Sequence, residues 1–235
     1  MLFIGPPFGN YVSLPGTISI KGSFTLEPRD GLLSQIVKTL RYSFEHKGWI
    51  NKIGLRNPGI DAAIKNWKND KVIHSIAILD KKEIPKLVEK IPEDMDLELN
   101  VSCPNAEKKM ITEGLGLFLN DKRRWCIIKL APKTKHEMID EYYKQGFRQF
   151  HCSNTLPTPT GGLSGPALIP YTTNLVYYIK KKYPETEVIA GGGIQSIQQL
   201  NKYKNIGANH FAVSTLLFHP ILTGKFFYYF YKNKK

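Results

Sequence analysis

The stretch Leu97-Glu98-Leu99-Asn100-Val101-Ser102-Cys103-Pro104-Asn105 reads as a buried strand that ends in unusual chemistry. Leu99 and Val101 alternate with polar residues in the period-two pattern of a strand, and Pro104 has no N–H with which to continue a ladder. The strand therefore stops at a mouth that carries one thiol between two asparagines. Side-chain amides both donate and accept, so Asn100 and Asn105 suit a planar ligand edged with carbonyl and N–H groups. Cys103 is placed to act on such a ligand as base or nucleophile. A lone cysteine at a strand end more often packs as a small hydrophobe, so the other strands must decide.

Seven further strand patterns flank this one, over residues 1–5, 17–24, 72–79, 125–130, 147–155, 187–194 and 210–217. Helical patterns fall between most of them, over 31–46, 59–69, 82–90, 110–119, 134–145 with Thr134 as its cap, 169–182, the run to about Tyr203, and the C-terminus. Eight strands alternating with helices predict an α/β fold, a closed (β/α)8 TIM-type barrel, in one domain over 1–235. In that architecture function collects where strands end, and Lys21, Cys103, Lys129, Asn154 and Gly191 to Gly193 all lie there. Residues 48–59 form a long loop dense in Gly, Asn and Pro, a kind of segment that tends to carry function.

Composition narrows the choice. A hydrophobic content of 42% is enough to bury a large core. The net charge of +13 is spread along the chain instead of gathered in one arm, which argues for a lysine-rich surface and against nucleic acid. Cys103, Cys126 and Cys152 have no metal-ligand spacing and fit a reducing compartment. No apolar run approaches a membrane span, so a cytoplasmic protein without a membrane partner is expected. The aromatic run from Phe226 to Tyr231, followed by lysines, is read as a helix packed on the barrel in preference to one on a membrane surface. Gly192 and Gly193, with Ser214 and Thr215 at the next strand end, make two turns whose N–H groups suit a phosphate.

The order of motifs resembles the dihydroorotate dehydrogenases, flavin enzymes that oxidise dihydroorotate to orotate in pyrimidine (UMP) biosynthesis. The motifs are IKGSFTLEPR (20–29), WINKIGLRNPG (49–59), ELNVSCPN (98–105), IIKLAP (127–132), SNT (153–155), GGLSGPAL (161–168), IAGGGI (189–194) and AVSTLL (212–217). The resemblance implies a flavin cofactor, and one terminal phosphate site at the glycine and Ser214-Thr215 turns, with no dinucleotide fingerprint in the sequence, makes FMN and not FAD the expectation. It implies Cys103 as the base that takes the C5 proton of dihydroorotate while a hydride leaves C6 for flavin N5. It implies a pyrimidine site built from Asn51, Asn100, Asn105, Asn154 and Thr155, with the backbone of Ile53, Gly54 and Leu55 near the substrate carboxylate. Lys21 is implied between flavin and substrate, Lys129 at the flavin N1/O2 edge, and Asn100, Gly165, Gly192, Gly193, Ser214 and Thr215 around the cofactor. A cysteine base marks the soluble classes of the family. Two alternatives stand beside this reading: a related flavin oxidoreductase acting on uracil-like rings, and a flavin-binding barrel without turnover.

The chain departs from the family at its start. About eleven residues, 6–16, separate the first two strands, and a parallel crossover with its helix needs about a dozen or more. A shortened or missing first helix is therefore expected. The outer faces of the first strands would then need cover, either from the excursion over 31–57 or from a second chain, and a homodimer is the expectation.

Overall fold

The computed structural model describes residues 1–68, 71–102 and 111–233. A closed barrel stands at its centre. Its strands run in the order β1 (Leu2–Ile4), β12 (His210–Val213), β11 (Glu187–Gly191), β8 (Gln149–Cys152), β7 (Cys126–Leu130), β6 (Leu97–Asn100), β5 (Val72–Ala77) and β2 (Thr17–Phe24). Every pairing is parallel. Around it lie α1 (Leu32–Thr39), α2 (Ile60–Lys65), α3 (Ile84–Lys90), α4 (His136–Lys144), α5 (Ile169–Lys182), α6 (Ile197–Asn205) and α7 (Pro220–Lys232). This is the (β/α)8 barrel that the alternation of patterns predicts.

The period of two sorts each strand. Leu97, Leu99, Ile128, Leu130, Phe150, Cys152, Val188 and Ala190 belong to the core shared with the helices. The inner positions Phe3, Ile20, Ile73, Trp125, Ile127, Ile189 and Ala212 form a second core that fills the barrel. Each fully buried aliphatic or aromatic side chain contributes about 1.5–3 kcal/mol. One step further along the strands the buried positions turn polar, at Ser75, Glu98, Asn100, Lys129, His151 and Ser153. The barrel is thus sealed by hydrocarbon at the amino ends of its strands and polar at their carboxyl ends, which places any chemistry at the latter.

Between β1 and β2 there is one 3-10 turn, Phe8–Asn10, in place of an α-helix. The outer face is nevertheless covered within the chain. Leu2 and Ile4 are 0% exposed, in a core that includes Phe226 and Phe227 of α7 and against which Phe8, Leu14, Phe230 and Tyr231 pack. Tyr231 Oη, near the end of α7, donates to Pro15 O at 3.1 Å. Neither a second chain nor the 31–57 excursion is needed as the cover, which corrects the argument that led to a homodimer. The aromatic run of α7 accordingly packs on the barrel through Phe226 and Phe227, with Tyr228 and Tyr229 outward.

The excursion builds a second sheet, antiparallel, in the order β3 (Arg41–Ser43), β4 (Gly48–Asn51), β10 (Gly161–Ser164) and β9 (Leu156–Thr158). The helix expected over 31–46 ends at Thr39, because the residues after Leu40 pair as a strand with β4. Its apolar period does not mark burial: Leu33 and Val37 are 78% and 84% exposed. The helix expected over 110–119 is a 3-10 turn at Leu115–Phe118 among the described residues, entered through Gly114 at φ +80°. Thr134 is not a helix cap; its Oγ1 donates back to Ala131 O at 2.8 Å, and Lys135 precedes α4. The small sheet is pinned to the barrel end by Trp49, whose ring lies 4.4 Å from that of Phe218 and whose Nε1 donates to His219 Nε2 at 3.4 Å.

Candidate active site

A pocket opens at the carboxyl ends of β7, β8, β11 and β12, between the barrel and the small sheet. Lys129, Asn154, Thr155, Gly165, Gly192, Gly193, Ser214 and Thr215 line it, joined by Gly5, Pro6, His151, Ser153, Ser164 and Leu168. Nine residues marked in the sequence, Gly191 included, thus meet in one place. Asn100 joins them through Asn154, whose Nδ2 donates to Asn100 Oδ1 at 3.2 Å. The hairpin of β9 and β10 lies close over this corner, where a Cβ on Gly162 would come within 2.7 Å of Thr155 Oγ1.

Other marked residues stand apart from this pocket. Lys21 sits in β2, half-buried, in register with His74. Asn51 is in β4, whose partner β10 supplies Ser164 to the lining, and its Oδ1 accepts from Ile53 N at 3.4 Å. The loop of Ile53, Gly54 and Leu55 is held by Arg29 Nε, which donates to Gly54 O, and by Asn57 Nδ2, which donates to Leu55 O. Cys103 and Asn105 lie outside the described residues.

Beneath the pocket lies a group that the residue-by-residue reading of the sequence missed. Glu98, 0% exposed, projects into the barrel between the side chains of two neighbouring strands. Its Oε1 accepts from Lys129 Nζ at 3.1 Å and from Ser75 Oγ at 2.8 Å, and its Oε2 meets His151 Nδ1 at 2.6 Å. Ser75 Oγ accepts in turn from Ser23 Oγ at 2.9 Å, and Ser23 Oγ from Asn100 Nδ2 at 3.0 Å. With Ser75 donating to the carboxylate, the hydroxyls pass their hydrogens one way and orient the Asn100 amide, leaving Oδ1 toward Asn154. The signal was present: a glutamate alternating with leucines in a strand buried on both faces must find a cation or several donors.

Burial pushes the Glu98 carboxyl up, but the Lys129 charge and the His151 and Ser75 hydrogen bonds outweigh it and bring it down to about 2. Burial pushes His151 down, the adjacent Lys129 charge adds to this, and Glu98 only partly opposes them. His151 is therefore neutral at neutral pH, and Lys129 is the cation that balances Glu98. Of the described thiols, burial pushes Cys126 up to about 12 and raises Cys152 further. Both are buried in the core shared with the helices, and neither serves as a base near neutrality.

The donor set suits a phosphate-bearing cofactor with a polar ring. Gly192, Gly193 and Ser214 line the pocket just past the ends of β11 and β12. Backbone amides at two adjacent strand ends hold a phosphate well, and lie where barrels of this type place one. Lys129, 8% exposed, offers a cation at the pocket floor, where negative charge accumulating on a ring would be stabilised. These residues fit a flavin mononucleotide.

Fold and site together define a (β/α)8 barrel with a polar pocket at the carboxyl ends of its strands. No family model matches the chain. It is 30% identical over 250 residues to the catalytic subunit of dihydroorotate dehydrogenase B (NAD(+)) from Halalkalibacterium halodurans, with 91% of this chain and 80% of the relative covered. To the subunit of the same name from Thermotoga maritima it is 28% identical over 258 residues, covering 93% of this chain and 90% of the relative. A crystal structure of the dihydroorotate dehydrogenase from Eimeria tenella in complex with ferulenol shares the fold, with a TM-score of 0.69 at 17% identity over 88% of this chain and 72% of that one. The chain belongs to the dihydroorotate dehydrogenase family, a flavin-dependent family of oxidoreductases acting on CH-CH donors. Among the described residues no helix is long and apolar enough to cross a membrane.

Proposed function

We propose that this chain oxidises dihydroorotate to orotate for pyrimidine biosynthesis, with FMN in the pocket described above. The observation that carries the proposal is the meeting, at one barrel end, of the turns at Gly192, Gly193 and Ser214, a buried cation at Lys129 and the amides of Asn100 and Asn154. Orotate is flat and ringed by carbonyl and N–H groups, which neutral amides match better than charges do.

Bound FMN supplies the hydride acceptor. The residues of the chain do the rest in this reading. Asn51, Asn100, Asn105 and Asn154, with Thr155, hold the ring, and the backbone of Ile53, Gly54 and Leu55 receives the carboxylate. Lys21 stands between cofactor and substrate. Cys103 takes the C5 proton as the C6 hydride departs, so that two hydrogens leave the substrate as a proton and a hydride and the ring gains its double bond. Gly165, Gly192, Gly193, Ser214 and Thr215 hold the cofactor, and Lys129 stabilises negative charge on it.

The residues 1–235 act as one domain in this proposal, in the cytoplasm. By likeness to the NAD(+) catalytic subunits, we take electrons to reach NAD+ through a separate subunit. A homodimer stays within the proposal, resting on the resemblance and no longer on uncovered first strands. Stopped-flow mixing of the FMN-loaded chain with dihydroorotate tests the activity: flavin absorbance should bleach. Failure to bleach with dihydroorotate, together with bleaching by dihydrouracil, would replace the substrate by a ring without a carboxylate.

A further inference from the structure

His151 has no part in the chemistry proposed above, yet it is buried, polar and in contact with the pair that floors the pocket. Its ring lines the pocket, and its Nδ1 meets Glu98 Oε2 at 2.6 Å. The other oxygen of the same carboxylate takes Lys129 Nζ at 3.1 Å. The two partners come from different strands, β8 and β7, and divide Glu98 between them. The ring is seated by an absence of side chain on the next strand: a Cβ on Gly191 would come within 2.3 Å of His151 Nε2. Glycine at the end of β11 is therefore the residue that admits the imidazole.

We propose that His151 is a positioning residue for Lys129: by occupying one oxygen of Glu98 it prevents the carboxylate from taking the ammonium with both, and so leaves Lys129 facing the bound flavin. This rests on the flavin reading of the pocket. The argument is one of satisfied valence. Glu98 is 0% exposed, so an Oε2 deprived of its donor has no water to turn to and must seek the nearest N–H, which is the Lys129 ammonium. A lysine held by both oxygens is closer to the carboxylate and further from the cofactor, and its charge is more fully cancelled. Negative charge on the reduced flavin then loses stabilisation that the oxidised form never needed. The ionisable groups that face the ring are Glu98 from β6 and Lys129 from β7; β11 presents only Gly191.

The readout is the midpoint potential of FMN bound to the full chain, measured by equilibration with a reference dye, in the wild type, His151→Leu and His151→Asn. His151→Leu should bind oxidised FMN with nearly unchanged affinity and reduced FMN about tenfold less tightly, which lowers a two-electron potential by about 30 mV. His151→Asn, whose Nδ2 can donate to Glu98, should return to within about threefold of the wild type. An unchanged potential in fully loaded His151→Leu, or an Asn variant displaced as far as the Leu variant, would overturn the proposal and leave His151 as packing. Because the Leu variant can fail to fold, a second measurement uses the wild type, labelled with 15N at histidine. At pH 7.5 the His151 ring should carry its hydrogen on Nδ1 with Nε2 bare, and an Nε2–H tautomer or a cation would reject the arrangement. A wild-type chain that binds no FMN would defeat the flavin reading itself, which is distinct from bound FMN with an unmoved potential.

Discussion

Asn154 on one strand end and Asn100 on another are joined amide to amide, Nδ2 to Oδ1 at 3.2 Å, across the mouth of the barrel. The chain from Asn100 through Ser23 and Ser75 to Glu98 fixes which way the Asn100 amide points. Asn100→Ala should therefore damage the neighbouring amide as well as its own. A loss of about 5- to 150-fold in kcat/KM for dihydroorotate is expected, from the roughly 1–3 kcal/mol of an unmade buried hydrogen bond. Because both residues act as a unit, Asn100→Ala/Asn154→Ala should lose much less than the sum of the two single losses. Strict additivity in a double-mutant cycle would show that the two amides bind independently.

Cys103→Ala should keep FMN and reduce it with dihydroorotate at least about 10²-fold more slowly, as expected when a positioned base is removed. Cys103→Ser should retain part of the rate, with its optimum moved to higher pH. Cys126→Ala and Cys152→Ala should leave the pH profile of flavin reduction in place, since both thiols are buried in the helix-facing core and pushed well up. Stopped-flow reduction across pH separates these cases, and a Cys103→Ala chain reduced at the wild-type rate would reassign the base.

Glu98→Gln removes the anion and leaves the Lys129 ammonium buried with neutral partners. Stability should fall by about 3–5 kcal/mol, the cost of breaking a buried pair from one side. Urea unfolding of the flavin-free protein measures it. A loss below about 1 kcal/mol would mean that Lys129 escapes to water when its partner goes.

Acid should destabilise the protein in two stages. His151 is held below its ordinary value of 6.5, so the unfolded chain takes up its proton first and stability falls as pH drops below about 6.5. Glu98 is held at about 2 against an ordinary 4.5, so its contribution, complete above 4.5, is lost between those two values. Thermal unfolding followed from pH 8 to pH 3 should show both segments, and His151→Asn should remove the first while keeping the second.

Light scattering across a dilution series tests the homodimer. A mass that stays at twice that of the chain supports it, and a mass that stays at that of one chain rejects it.

Much of the barrel was legible because period two and the intervening helices repeat eight times, and each strand pattern contains an observed strand. Strand ends were read too long, as at 147–155 against Gln149–Cys152, because the polar residues of a barrel mouth continue the alternation after the ladder has stopped. The small sheet was illegible as a sheet. Its strands are three or four residues long, and its two local hairpins, β3–β4 and β9–β10, join across more than a hundred positions, as Ile50 does with Leu163, a pairing that no local pattern carries. Lys129 and Asn154 were found from their places at strand ends. Glu98 and His151 were passed over because each sits one step inside the barrel, where the sequence shows a lone polar residue and only the closed fold shows that the two touch.

The cover over the first strands comes from the last helix, and this reaches into how the chain is made. Leu2 and Ile4 leave the ribosome roughly two hundred residues ahead of Phe226, Phe227 and Tyr231. In a barrel with a full crossover after its first strand, that strand acquires its shelter within a few dozen residues. Here it waits until those residues have been made, as an apolar edge that a holding chaperone must mask or that a neighbouring nascent chain can capture. A message truncated before the codons of α7 should therefore yield an aggregating product and not a slightly weakened enzyme.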